Sequence, residues 1–381
     1  MSAKTINRST RSSMPSAVAN VYYQGRKVGR TAMADNRRAA FEYDSAWIAD
    51  GFSISPFYLP LEKRVFIADL EPFNGNFGVF DDSLPEGWGR LLIDRLLKKQ
   101  GVDLASISIV DRLLIVGSNG MGALEYKPEN RLVKKSANET LAELAKETKK
   151  ILAEKDSNKL ETLVKMGGSS GGARPKVLID FEKEAWIVKF RSSFDPRNVG
   201  KIEFNYSQAA RLAGLDMPET KLFEGKFFGV KRFDRRGAKK IHKLSASALL
   251  NASYRLPSLD YVDLINAALT LTRDFAQAQK LYRQACFNVF AHNRDDHAKN
   301  FAFLYDDNKW SVSPAFDLTY SEGINGEHAT TIDGEGKNPT KERLLSVANK
   351  VGLNMSWAKI TIEETKKVVE KARLFSADRN S

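Results

Sequence analysis

The stretch from Leu281 to Leu318 leaves the chain the fewest ways to fold. An apolar run, Leu281–Phe290, is followed closely by the polar segment His292-Asn-Arg-Asp295-Asp-His297-Ala-Lys-Asn300. Two short runs of strand composition come next, Phe301–Tyr305 and Trp310–Val312, separated by Asp306-Asp-Asn. The stretch closes on Pro314-Ala-Phe-Asp317-Leu. Run length and flanking turn residues make this a helix, a loop, a hairpin and a second loop. A hairpin sets its two ends side by side, so Asp317 is expected next to the loop that starts at Asp295.

The residue types at those positions suit phosphoryl transfer. That reaction needs one carboxylate to orient an attacking hydroxyl and take its proton, an oxygen ligand for magnesium, and a second carboxylate linking metal and phosphates. Asp295, Asn300 and Asp317 supply the three groups. Asp295 and Asn300 are five positions apart, the spacing of the pattern His-Arg-Asp-x-x-x-x-Asn, and Asp317 lies 22 positions beyond Asp295. A single loop aspartate is ordinarily just solvated; the spaced triple behind an apolar helix carries the reading. Asp296 reads as a flanking residue. His297 reads as a structural hydrogen-bonder, with metal ligand or base as alternatives, and Lys299 as an exposed lysine or a neutraliser of phosphate charge.

A second cluster is Gly167-Gly-Ser169-Ser170-Gly171-Gly172-Ala173-Arg174-Pro-Lys176. Glycines let backbone N–H groups approach phosphate oxygens, and Arg174 and Lys176 add charge; a flexible linker has the same composition. Strands are expected at Lys176–Ile179 and Ala185–Phe190. Alternation along the second points Lys189 to the face opposite Val188 and Phe190, as a phosphate-binding or a solvent-facing lysine. Glu203, expected at the start of a helix Glu203–Leu212, is either its ion-pair partner or a helix-end acid. Strands are also expected at Thr220–Phe223 and Lys226–Phe233. Gly117–Gly122 reads as a turn.

The opening of the chain alternates as strand, glycine turn and strand over Val18–Val28. Asp82–Gly101 is expected to form an amphipathic helix, opened by Pro85 and closed by Gly101, and Asn138–Lys159 a surface helix, with a boundary near Leu132–Asn138. The division is a basic disordered tail (1–18), a β-rich unit (19–135), a mixed lobe (136–240) and a helical lobe (241–381). A net charge of +12 attracts anionic partners without choosing among them. No apolar run reaches the roughly 18–20 residues that span a bilayer. The lone Cys286 excludes an internal disulfide and fits a reducing compartment, so a cytoplasmic protein is expected.

Several ordered motifs together resemble the HipA family of bacterial toxin-antitoxin kinases. They are Val21-Tyr-Tyr-Gln-Gly-Arg-Lys-Val-Gly29, Phe41-Glu-Tyr-Asp44, Asp82-Ser-Leu-Pro-Glu-Gly87, Val116-Gly-Ser-Asn-Gly-Met-Gly-Ala-Leu124, Gly171-Gly-Ala-Arg-Pro-Lys176, Leu215-Asp-Met-Pro-Glu-Thr220, Lys231-Arg-Phe-Asp-Arg235 and the two segments above. The resemblance covers most of the chain. It implies an α+β, protein-kinase-like bilobal fold, similar to phosphatidylinositol kinases, with a β-rich N-terminal subdomain and an all-α C-terminal lobe. It implies ATP and Mg2+ as cofactors, Asp295 as catalytic base, and Asn300 and Asp317 on the metal. Lys176, Lys189, Ser170, Gly171, Gly172, Ala173, His297 and the segment Lys231-Arg232-Phe233 are then around ATP, with Ser169 or Ser170 as the site of an autophosphorylation that ejects the loop. Implied partners are a protein of the translation machinery, such as an aminoacyl-tRNA synthetase, and a HipB-like helix-turn-helix antitoxin that reaches operator DNA. Lys243-Leu-Ser-Ala-Ser247 departs from the family pattern. A catalytically silent corepressor and a small-molecule kinase are the alternatives.

Overall fold

The computed structural model describes residues 17–133 and 139–374. Nearly all of the expected tail and most of the expected junction at 132–138 therefore lie outside the described residues. Strands β1 (Val18–Tyr23), β2 (Arg26–Met33), β3 (Ala39–Tyr43), β4 (Val65–Ile67) and β5 (Leu124–Lys127) form an antiparallel sheet in the order β4-β3-β2-β1-β5. Gln24 and Gly25 take positive φ at the β1–β2 turn, as a tight hairpin requires. The amphipathic helix spans Gly87–Lys99. It begins two residues later than Pro85, because its first N–H groups are capped from another part of the chain, and it ends before Gly101 at φ +77.

The mixed lobe is a four-stranded antiparallel sheet, β6-β7-β9-β8, from β6 (Lys176–Phe181), β7 (Glu184–Lys189), β8 (Thr220–Phe223) and β9 (Phe227–Lys231). The helix Leu141–Leu152 starts with a capping box between Thr140 and Glu143. A further helix, Leu160–Gly167, takes up Gly167, the first residue of the glycine cluster. Its stripe Leu160, Leu163 and Val164 shares a core with Leu92 and Leu96 of the Gly87–Lys99 helix. The next helix starts at Val199 rather than Glu203, so Glu203 lies one turn inside it and plays no part at the helix end.

A small hairpin, β10 (Arg235–Arg236) and β11 (Lys239–Lys240), leads to β12 (His242–Ser245) and β13 (Leu259–Asp260). The helices Tyr261–Thr272, Phe275–Phe290, Lys341–Lys350 and Met355–Ala372 make up the body of the helical lobe. The expected hairpin is β14 (Ala302–Asp306) and β15 (Lys309–Val312), extended by β12 into a three-stranded sheet through the pairing His242↔Tyr305 to Ser245↔Ala302. Strand β16 (Thr330–Thr331) pairs in parallel with β13.

Apolar packing joins the N-terminal sheet and its helices to both lobes. One buried cluster runs from Val21, Phe41 and Tyr126 of the N-terminal sheet into Leu249, Tyr282 and Phe303 of the helical lobe. A second joins Trp88, Leu92 and Leu96 to Val177, Trp186 and Val188 of the mixed lobe. Cys286 is buried, and burial pushes its thiol up to about 12. No helix among the described residues is long and apolar enough to cross a membrane.

Candidate active site

The register of β6 against β7 places Lys176 directly opposite Lys189. Both side chains are buried, on the face away from Val177 and Val188, which fill the core. Two like charges side by side destabilise a sheet unless anions face them. Lys189 Nζ donates to Glu203 Oε2 at 2.7 Å and to Asp317 Oδ1 at 2.5 Å. The Arg174 guanidinium bonds the other oxygen of Glu203 and reaches Asp195 at 3.1 Å. Burial works to raise the Asp317 carboxyl, but Lys189 and Lys176 outweigh it and hold it well below the usual carboxylate range. Lys176 Nζ donates to the Gly171 carbonyl at 2.6 Å, which folds the glycine loop back over the lysine pair.

The loop 292–300 meets this group from the helical lobe. His292 takes positive φ and Ser321 pairs across to His292 and Arg294, which fixes the loop just ahead of Asp295. Asp295 borders the cleft; the cleft walls raise its carboxyl above the ordinary value, His297 opposes the rise, and Asp317 and Asp296 add to it. Asn300 donates its amide N–H to the Asp295 carbonyl at 2.7 Å, which leaves its side-chain oxygen available as a donor atom for a ligand. Asn300 and Asp317 together offer hard oxygen donors that suit magnesium and need phosphate oxygens to complete the shell. Among the described residues no group of three His, Cys, Asp or Glu side chains could hold a metal unaided.

Two connected spaces surround these residues. A slot of about 150 Å³ lies between the lobes, walled by Ile187, Met217, Phe228, Val230, Phe233, Phe316 and Leu318, with Lys176, Lys189, Asn300 and Asp317 at its inner end. Its apolar walls suit an aromatic base, and the Phe233 and Phe316 rings pack on one another in that wall with centroids 5.4 Å apart. A wider cleft of about 1030 Å³ opens over Asp295 and Asp317 towards Pro85, Arg90, Phe194 and Arg255. Lysines, carboxylates and glycine loop thus stand where the two spaces join.

Several residues behave differently from the sequence expectation. Asp296 is buried and accepts from Tyr261 Oη, the Ala329 N–H and the Thr330 N–H, with His328 Nδ1 at 2.9 Å, so it anchors the loop 292–300. Lys299 is buried and donates to Asp81 at 2.7 Å and Glu86 at 2.5 Å. His297 caps the turn that follows it by accepting the Lys299 N–H, and it borders both spaces. Lys231 directs its ammonium to Glu184 at 2.8 Å, and Arg232 is bidentate to Asp234. Ser169 and Ser170 are both buried, with the Ser170 hydroxyl donating to the Gly167 carbonyl. Gly117–Gly122 is more than a turn: Gly122 N–H donates to Asp234, and Arg235 bonds the Gly120 and Gly122 carbonyls. Sequence reading missed Asp81, Glu86 and Asp234. The usable signal was glycine at 87 and 89 in the first turn of a helix, where glycine is costly unless another backbone comes close.

The model of the HipA-like C-terminal domain matches residues 168–372, and that of the HipA N-terminal domain matches residues 19–127. The chain belongs to the HipA family. A relative from Sinorhizobium fredii, named "Putative kinase Y4mE", is 28% identical over 341 residues, 79% of this chain and 76% of its own. Among solved structures, a chain of the Shewanella oneidensis MR-1 toxin-antitoxin system HipA, HipB and operator DNA complex aligns at a TM-score of 0.70. It covers 93% of this chain and 89% of its own at 19% identity, which establishes the fold. The HipA fold accounts for the architecture here, a kinase-like pair of lobes with a β-rich N-terminal domain packed against both.

Proposed function

We propose that this HipA family member is an ATP-dependent serine/threonine protein kinase. The observation that carries the reading is the meeting of Asp295, Asn300 and Asp317 with the Lys176–Lys189 pair beneath a glycine loop, beside an apolar slot. Adenine occupies the slot near the backbone of Lys231–Phe233. Lys189, Lys176 and the glycine loop Ser170–Ala173, through the N–H groups of Gly171 and Ala173, hold the phosphates, while Glu203 keeps Lys189 aimed. Asn300 and Asp317 would hold magnesium, which when bound offsets charge on the phosphates. Asp295 accepts the proton of the substrate hydroxyl as its oxygen bonds to the γ-phosphorus, and the bond to the β–γ bridging oxygen breaks to leave ADP. Its raised carboxyl suits a group that must take a proton near neutral pH.

The protein substrate enters by the wide cleft, whose size exceeds what a nucleotide needs. Ser169 or Ser170 serves as an autophosphorylation site only after the loop leaves its folded position, since both are buried in it. A helix-turn-helix antitoxin and, through it, operator DNA are proposed partners. The Shewanella neighbour, a complex of HipA with HipB and its operator DNA, supports that context, as does the charge of +12. A translation-machinery protein is the proposed target.

Purified protein supplied with magnesium and γ-labelled ATP should transfer label to itself or to a protein acceptor. Asp295→Asn should reduce transfer by roughly a hundredfold or more while leaving the fold intact. Label transfer retained in that variant would remove Asp295 from the role of base.

A further inference from the structure

The glycine loop is not shaped by the kinase lobes alone. Its last N–H before Ala173, that of Gly172, donates to Glu86 Oε2 at 2.7 Å, and Glu86 belongs to the N-terminal domain. The Gly172 carbonyl in turn accepts the Trp88 N–H at 3.2 Å, and the Ser170 carbonyl accepts the Glu86 N–H at 3.3 Å. The first turn of the Gly87–Lys99 helix and the glycine loop therefore satisfy one another's backbone groups. Glu86 stands at the N-cap of that helix yet makes no side-chain cap bond to it; its carboxylate is spent on Gly172 and on Lys299.

The two glycines of this turn fit the same purpose. A Cβ at position 87 would lie 2.7 Å from Ala173 Cα, and one at 89 would lie 2.8 Å from the Ser170 carbonyl oxygen. Trp88, between them, is buried and donates its indole N–H to the Lys176 carbonyl at 3.0 Å, holding the far end of the loop. On the other side, Lys299 stands next to Asn300, and its ammonium is held by Asp81 and Glu86 and lies 4.1 Å from the centre of the Tyr254 ring. One carboxylate, Glu86, thus touches the loop above the phosphates and the loop below them.

We propose that Glu86, assisted by Asp81, is a positioning residue of the kinase site: it holds the glycine loop in its phosphate-cradling shape and fixes that shape relative to the catalytic loop through Lys299. The inference rests on the kinase reading above. Glu86 touches no reacting atom. Glu86 borders both spaces, but its bonds go to the glycine loop and to Lys299 and not to the apolar residues that wall the slot, so its effect is expected at the phosphate end of the nucleotide. Losing one charge-assisted hydrogen bond from the loop is expected to weaken binding there by about tenfold.

The test compares ATP with adenosine, measured by calorimetry on the full-length protein and on its Glu86→Gln and Glu86→Asp variants, each first checked for an intact thermal transition. The expected result is ATP affinity lower by about tenfold in Glu86→Gln, adenosine affinity within about twofold of the parent, and partial recovery of ATP binding in Glu86→Asp. If Glu86→Gln does not fold, Asp81→Asn, which removes a partner of Lys299, must show the same selective loss. Parent-like ATP affinity in the variant overturns the inference, as does a parallel loss of adenosine, which marks a merely structural role. A parent protein that binds no ATP overturns the kinase reading itself, and the inference with it.

Discussion

Lys176 shows how burial can prepare a side chain for a ligand. Burial pulls its ammonium down to about 8, Asp317 opposes the shift, and Lys189 across the strand pair adds to it. Below pH 8 the folded protein keeps the charge at an energetic cost. That cost is relieved as pH rises from about 8 towards the usual 10.5, where the unfolded chain is still protonated. On the proposed kinase reading, phosphates arriving beside Lys176 reverse the shift and return the proton. Binding of ATP at pH 8 is therefore expected to take up about half a proton, seen as heats that vary with the ionisation enthalpy of the buffer. Lys176→Met should abolish that dependence. Equal heats in every buffer for the parent would show that Lys176 is already charged before the nucleotide arrives.

At the level of the element, β9 carries the closest packing near the slot. A Cβ at Gly229 would sit 2.3 Å from Cε2 of Phe223, and that ring is wedged between Phe181 and Trp186 at centroid distances of 5.1 and 5.5 Å. Gly229→Ala should then destabilise the protein by about 1–3 kcal/mol in urea unfolding. An unchanged midpoint would mean that the ring can move aside. Most elements could be read from the sequence because their patterns are local: the β1–β2 hairpin, the Gly87–Lys99 helix and the β14–β15 hairpin all announce themselves in period and turn residues. The spacing of Asp295, Asn300 and Asp317 was equally local. Lys299 was not, since it is decided by carboxylates more than 200 positions away, Glu86 being 213 positions distant. Asp296 escaped for the same reason, because its partners at 328–330 arrive with the β13–β16 pairing. Helix Leu160–Gly167 was hidden by brevity and by the glycines at its end.

For the whole molecule, cores that cross between the N-terminal domain and both lobes predict a single cooperative unit. Urea unfolding followed by the fluorescence of the five tryptophans and by far-ultraviolet circular dichroism should give coincident transitions. Two separated transitions would mean that the N-terminal domain melts on its own. The bonds of Asp234 and Arg235 to Gly120 and Gly122 lead further. The connector between the lobes is where a two-lobed enzyme bends, and here it is stapled to a third body. Spreading the lobes about Phe233 must either carry that body along or tear buried charge-assisted bonds. On the proposed kinase reading, a slot that widens to exchange its nucleotide would therefore have to move three bodies rather than two, with the N-terminal domain, whose Met121 also lines the slot, acting as a brake on that exchange.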